Sequence, residues 1–272
     1  MVIKNAKHNL LSGEKDFASK DTSYSSFWLY NQNRDIDSQH LRDTFVNFYN
    51  KKELLSEFNI TVAKNIISFW SKPGDRILDP FAGRTRALVS YAMDRSYVGY
   101  EVSNDVVQHM EKRFDELKFR EKESFDVQLI NRDCIDAASD FGPESFDFVF
   151  SCPPYWDLEK YESCKGQLSD IGDYDDFVEL LVDRLDVASR ALKIGGYMAI
   201  VVGDFRKKGK YITLHSDLLR QMGMNDSLEL HDVITIQNIP FYTAAFYFGS
   251  SKRTKKTAKA HEYLLIWKKV KA

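Results

Sequence analysis

Residues 151–161 read SCPPYWDLEKY and follow the apolar run FDFVF. Pro153 and Pro154 lack amide hydrogens and each fixes a φ angle, so the carbonyls before and within the pair are held as acceptors. Tyr155 adds a flat apolar face with a polar tip. A planar base with an exocyclic amino group suits both features, stacking on the ring while its amino hydrogens reach the fixed carbonyls. Such an amine is a weak nucleophile because its lone pair is delocalised into the ring. Hydrogen bonds to both hydrogens favour a pyramidal nitrogen whose lone pair can be aimed at an electrophilic methyl group, so positioning and electrostatics carry the chemistry. A base inside a duplex must first be flipped out. Cys152, Pro153, Pro154 and Tyr155 are therefore the candidate catalytic residues, Cys152 mainly through its backbone carbonyl, since a thiol is a weak acceptor. The plain structural alternative is a proline-stiffened loop after a buried strand.

Acidic residues stand after three earlier strand-like segments. DRILD leads into DPFAGRTR, where Asp79 can accept from an ammonium group and Gly83 lets the backbone approach a ligand closely, with Pro80, Phe81 and Ala82 completing the loop. YVGYEV brings Glu101 about 20 residues beyond Asp79, a spacing suited to ribose hydroxyls. DVQLIN precedes Asp133, an acceptor for an adenine amino group, and Ser151 closes the strand before Cys152 on the same cofactor side. The GxGxxG fingerprint of a pyrophosphate cofactor is absent. Singly, each acid is ordinary strand-end chemistry. Together they describe a ligand with an amine, a ribose and an adenine, which is S-adenosylmethionine.

The elements that must position these groups alternate regularly. Strands are expected at 75–79, 97–102, 126–131, 146–151, 197–204, 228–236 and 261–269, with a weaker signal at 25–30. Helices are expected at 39–55, 57–71, 86–94, 104–118 (capped by Asn104), 174–193 (ended by Gly195-Gly196) and around SDLLRQMGM. This alternation implies a mostly parallel α/β sheet with helices on both faces. No helix separates the last two strands, so the seventh should insert antiparallel. Residues 1–55 read as an irregular and helical extension, and 56–272 as the main domain, with a basic loop insertion near 237–260.

The 272 residues include 43% hydrophobic ones, enough for a sizeable core, and the net charge is −2, so any nucleic-acid surface must be local. Cys134, Cys152 and Cys164 match no zinc spacing, and no metal site is expected. No apolar run reaches membrane-spanning length and the N-terminus is no signal peptide, so a soluble cytoplasmic protein without membrane contact is expected.

ILDPFAGRTRALVSYAMDRSYVGYEVS followed by FSCPPYWDLEKY resembles the S-adenosylmethionine-dependent DNA amino-methyltransferases, which modify adenine N6 or cytosine N4. The chain is most similar to the short DNA methylases of phages and prophages, whose CPPY-type sequence also runs into D-L-E-x-Y. The likeness spans roughly residues 54–270 and implies the seven-stranded class I methyltransferase sheet, with AHEYLLIWKK as its antiparallel last strand. It also implies S-adenosylmethionine as cofactor and DNA as substrate. Two departures stand out: Arg84 and Thr85 follow Gly83 where the family is richer in glycine, and Cys152 stands where the class favours Asp, Asn or Ser.

Too little chain follows Tyr155 for a large recognition domain, so DNA contacts are expected from loops, with a homodimer or partner as a further source. SSKRTKKTAK (250–259) holds five basic residues and no acid, and Lys252, Arg253, Lys255 and Lys256 are its candidate phosphate contacts. GDFRKKGKY adds Arg206 and Lys207. Asp157 and Glu159 read as residues that order the catalytic loop, and His261 as structural. Two rival functions remain open on sequence: a catalytically silent DNA-binding subunit, and an RNA or protein amide methyltransferase.

Overall fold

The computed structural model describes residues 27–29, 58–116, 126–158, 163–237, 253–257 and 259–272. In chain order the elements are β1 (Phe27–Leu29), α1 (Ile60–Trp70), β2 (Arg76–Asp79), α2 (Arg84–Ala92), β3 (Ser96–Tyr100) and α3 (Asn104–Glu116). β4 (Val127–Ile130), α4 (Ala137–Phe141), β5 (Phe146–Ser151), α5 (Tyr174–Ala191) and β6 (Leu192–Val202) follow. The hairpin β7 (Phe205–Lys207) and β8 (Lys210–Ile212) leads to α6 (Leu214–Met222), β9 (Leu228–Gln237) and β10 (His261–Lys269). The expected helix at 39–55 and most of the loop at 237–260, Lys252 included, lie outside the described residues.

The main sheet runs β1-β9-β10-β6-β5-β2-β3-β4. β2 to β6 pair in parallel, and β10 lies antiparallel to both β6 and β9. This is the expected seven-stranded architecture. An eighth strand, β1, pairs in parallel with β9 and brings residues 27–29 of the N-terminal stretch into the same sheet.

The strands read as nearly unbroken apolar runs because both faces are covered. Ile77, Ala199, Val201, Leu264 and Ile266 face the cluster built with α1, α2 and α3. Their neighbours Leu78, Ile200, Val202, Leu265 and Trp267 face the cluster built with α4, α5 and α6. The period of two along each strand thus sends alternate side chains into two cores.

Three sequence expectations are revised in detail. α3 is capped by Ser103, whose Oγ accepts from the Val106 N–H at 3.3 Å, and Asn104 is its first residue. α5 ends at Ala191, before the glycines, and the chain turns straight into β6. There the buried Lys269 ammonium donates to the carbonyls of Arg190 (3.0 Å) and Leu192 (2.8 Å), satisfying helix-end acceptors. Gly195 and Gly196 lie inside β6, Gly195 with φ of 84°. Finally, GDFRKKGKY is no open loop but the β7–β8 hairpin, turning through Lys208 (φ 47°) and Gly209 (φ 84°). Two left-handed residues are what a two-residue turn of the I′ kind requires.

Candidate active site

β2 and β5 are adjacent and parallel, and the chain leaves them toward opposite faces: α2 packs on one core and α5 on the other. Such a switch point opens a crevice at the carboxyl ends of the strands. There the last residues of the two strands meet, Ser151 Oγ donating to Asp79 Oδ1 at 2.5 Å. Asp79 Oδ1 also accepts from the Phe81 N–H (3.1 Å), and Oδ2 accepts from Arg86 Nε (2.6 Å) and the Tyr97 hydroxyl (2.7 Å). Four donors fill the acceptor sites of a carboxylate. Asp79 is fully buried, so it fixes the 80–83 loop to the sheet rather than presenting an acceptor to an ammonium. Ser151 is likewise fully buried, its hydroxyl given to Asp79.

The organiser of this wall is Arg86, a residue the sequence reading passed over. Its Nη2 donates to the Phe81 carbonyl at 2.6 Å, and its guanidinium lies 5.3 Å from the Phe58 ring centroid. Burial opposes its charge, but Asp79, Tyr97 and Cys152 together hold its pKa above the ordinary value. Gly83 also makes room for this guanidinium: a Cβ on it would lie 2.6 Å from the Arg86 guanidinium carbon. Ala82 is buried and Phe81 packs on the second core.

Glu101 follows β3 directly. Its Oε1 accepts from the Ser103 N–H at 2.8 Å, tying it to the start of α3. Burial pushes its carboxyl up to about 7, with a further push from Asp79, against the pull of the Ser103 amide. Asp133, after β4, forms a fork with Arg184 of α5, at 2.6 Å (Nη2 to Oδ2) and 3.3 Å (Nε to Oδ1). It also caps the 3-10 turn at 134–136 through the Ile135 N–H. Its side chain keeps 21% exposure.

After β5 the chain passes through buried Pro153 to Tyr155. The Tyr155 hydroxyl donates to Glu262 Oε1 of β10 at 2.9 Å and lies 3.5 Å from Cys152 Sγ. Burial, then Cys152 and Glu262, push this phenol well above its usual range, so it stays a neutral donor. Burial also pushes the Cys152 thiol up to about 12, against the pull of Arg86. The thiol is therefore a neutral group. Gly203, after β6, leaves room for the Tyr155 ring, whose Cε2 would be 2.9 Å from a Cβ there. Trp156 then takes a left-handed conformation (φ 57°), held by its Nε1–H bond to the Ile171 carbonyl at 2.7 Å and by edge packing on Tyr174. Left-handed backbone at so bulky a residue persists only where its surroundings over-determine it, commonly beside functional sites.

The structure thus brings the 80–83 loop, Glu101, Asp133 and Cys152–Tyr155 to the carboxyl ends of β2, β3, β4 and β5. A family model described as DNA methylase matches residues 4–112 and 146–272, well over half of the chain. The chain belongs to the DNA methylase family. The fold is that of the class I methyltransferases. TrmN from Thermus thermophilus aligns at TM-score 0.52 and 16% identity, over 80% of this chain and 51% of its own. NSun6 from Pyrococcus horikoshii aligns at TM-score 0.52 and 13% identity, over 80% and 53%. A SAM-dependent methyltransferase from Methanosarcina mazei aligns at TM-score 0.53 and 13% identity, over 80% and 100%. This chain therefore spans about half the length of the first two. A search of curated protein sequences finds no match.

The basic residues of this methylase divide. Lys207 is corrected from a DNA contact to a latch: its ammonium pairs with Asp157 and lies 4.2 Å from the Trp156 ring centroid, tying the hairpin to the loop after β5. Arg206 is exposed, its guanidinium 4.8 Å from the Tyr211 ring centroid. Arg253, Lys255 and Lys256 are exposed. Residues the sequence reading missed are Arg86, Arg184, Gly203 and Glu262. Arg86 had a signal, being an arginine on the first turn after the loop. Glu262 had none, because only sheet pairing brings β10 to the end of β5. Among the described residues no helix is long and apolar enough to cross a membrane.

Proposed function

We propose that this methylase transfers a methyl group from S-adenosylmethionine to the exocyclic amino group of adenine N6 or cytosine N4 in DNA, with the base flipped into the SCPPY pocket. The observation that carries this is the juncture of β2 and β5, where Ser151 and Asp79 join the 80–83 loop to the Cys152–Tyr155 segment at the switch-point crevice. Membership of the DNA methylase family supports DNA over RNA or protein.

The donors and acceptors present fit the cofactor. Glu101 offers a half-buried carboxyl for vicinal hydroxyls, and Asp133, still partly exposed beside Arg184, an acceptor for an amino group. Pro80, Phe81, Ala82 and Gly83 would form the wall beside them. When bound, S-adenosylmethionine supplies an electrophilic methyl group. The chain then has to hold and aim the amine. The carbonyls of Cys152 and Pro153 would accept its two hydrogens, and the Tyr155 ring, pinned through its hydroxyl to Glu262, would support the base face. Arg206, Lys252, Arg253, Lys255 and Lys256 would meet the DNA backbone. A second copy or a partner protein would supply further recognition surface.

Long-read sequencing of DNA from cells expressing the protein tests the reading, with Tyr155→Ala as control. A modified base in a defined context, absent from the control, is expected. Unmodified DNA in both, alongside labelled methyl transfer to RNA, would overturn it.

A further inference from the structure

Lys259 belongs to the basic run read as a phosphate clamp, yet its ammonium turns inward. It reaches over Gly203, and a Cβ built on that glycine would collide with Nζ while lying 2.9 Å from Cε2 of Tyr155. Nζ is therefore at the edge of the ring on which the target base would stack. The charged groups around it are Glu262, which accepts from the Tyr155 hydroxyl, and the buried Asp204, which pairs with His215; His261 adds a nearby imidazole. Neither carboxylate comes within ion-pair distance. Among the described residues the Lys259 ammonium has no hydrogen-bond partner. Burial draws its pKa down, against Glu262 and Asp204. A half-buried ammonium at the ring edge, with no protein acceptor among the described residues, is placed to donate to a group entering beside Tyr155. Arg253, Lys255 and Lys256, from the same run, are exposed.

We propose that Lys259 is a positioning residue of the base pocket, donating from the edge of Tyr155 to a ring nitrogen or carbonyl oxygen of the flipped base. This rests on the reading that the SCPPY pocket takes a DNA base. It separates one lysine from its basic run by function: Lys259 reads the base, while its exposed neighbours meet phosphates.

The salt dependence of catalysis distinguishes the two roles, since a phosphate contact releases counterions and a base contact does not. Full-length wild type, Lys259→Met, Lys259→Arg and Lys256→Met are compared for kcat/KM of labelled methyl transfer to duplex DNA across a salt series. Thermal melts check folding, and Lys259→Gln serves if the methionine variant unfolds. Lys259→Met is expected to lose roughly tenfold or more at every salt concentration, with an unchanged log–log slope. Lys259→Arg should recover part of the loss. Lys256→Met should flatten the slope by about one. A Lys259→Met variant that flattens the slope in the same way, or that keeps full activity, overturns the inference while leaving the methylase reading intact. Wild type that transfers no methyl to DNA overturns both.

Discussion

Removing the Asp79 carboxylate should cost the protein stability before it costs any ligand contact. In Asp79→Ala the buried Arg86 guanidinium loses the partner 2.6 Å away, and the Tyr97 and Ser151 hydroxyls lose their acceptor. Breaking one half of a buried, hydrogen-bonded ion pair costs about 3–5 kcal/mol, because the remaining charge is stranded. For a chain of this size that lowers Tm by on the order of 10 °C. Arg86→Met alone strands the carboxylate and should cost a similar amount. The double variant Asp79→Ala/Arg86→Met leaves neither charge unpaired, so its loss should fall short of the sum by at least about 1 kcal/mol. Urea unfolding of the four proteins, followed by circular dichroism, measures all three differences. An Asp79→Ala protein as stable as wild type would refute the buried-hub account and return Asp79 to the role of a cofactor ligand. So would strictly additive single variants.

Glu101 titrates higher in the folded protein (about 7) than its ordinary 4.5, so folding takes up a proton between those values. The stability from neutral Glu101 is thus present below pH 4.5 and lost as pH rises through about 7, and Glu101→Gln should flatten that part of the profile; parallel wild-type and Gln profiles would rule it out. If the ionised carboxyl accepts from the ribose hydroxyls, calorimetric S-adenosylmethionine affinity should rise across the same window more steeply in wild type than in Glu101→Gln. Lys207→Ala should slow methyl transfer several-fold by freeing Trp156 and Asp157, with no change in the salt slope of DNA binding. A slope flattened by about one would make Lys207 a phosphate contact instead.

The sequence by itself determined the architecture and which residues would stand at the carboxyl ends of the strands. Nearly unbroken apolar strand segments alternating with amphipathic helices specify a sheet covered on both faces, and each strand's carboxyl end is local information. Glu101, Asp133 and the Cys152–Tyr155 segment were legible because each immediately follows a strand. What the sequence left undecided was which of these groups face the crevice and which lie behind it. Asp79 and Ser151 read as site residues, but pairing of β2 with β5 turns their side chains toward each other and buries both. Lys207 and Lys259 both belong to basic runs, indistinguishable by composition from solvated or phosphate-binding lysines. Only the packing of the hairpin on Trp156 makes one a latch, and only the bare backbone of Gly203 lets the other reach Tyr155. Glu262 sits far from Tyr155 in the chain and next to it in space, because β10 enters the sheet antiparallel beside β6. Hydrogen-bond partners are fixed by register and burial across the sheet, and one chain's local pattern does not encode them.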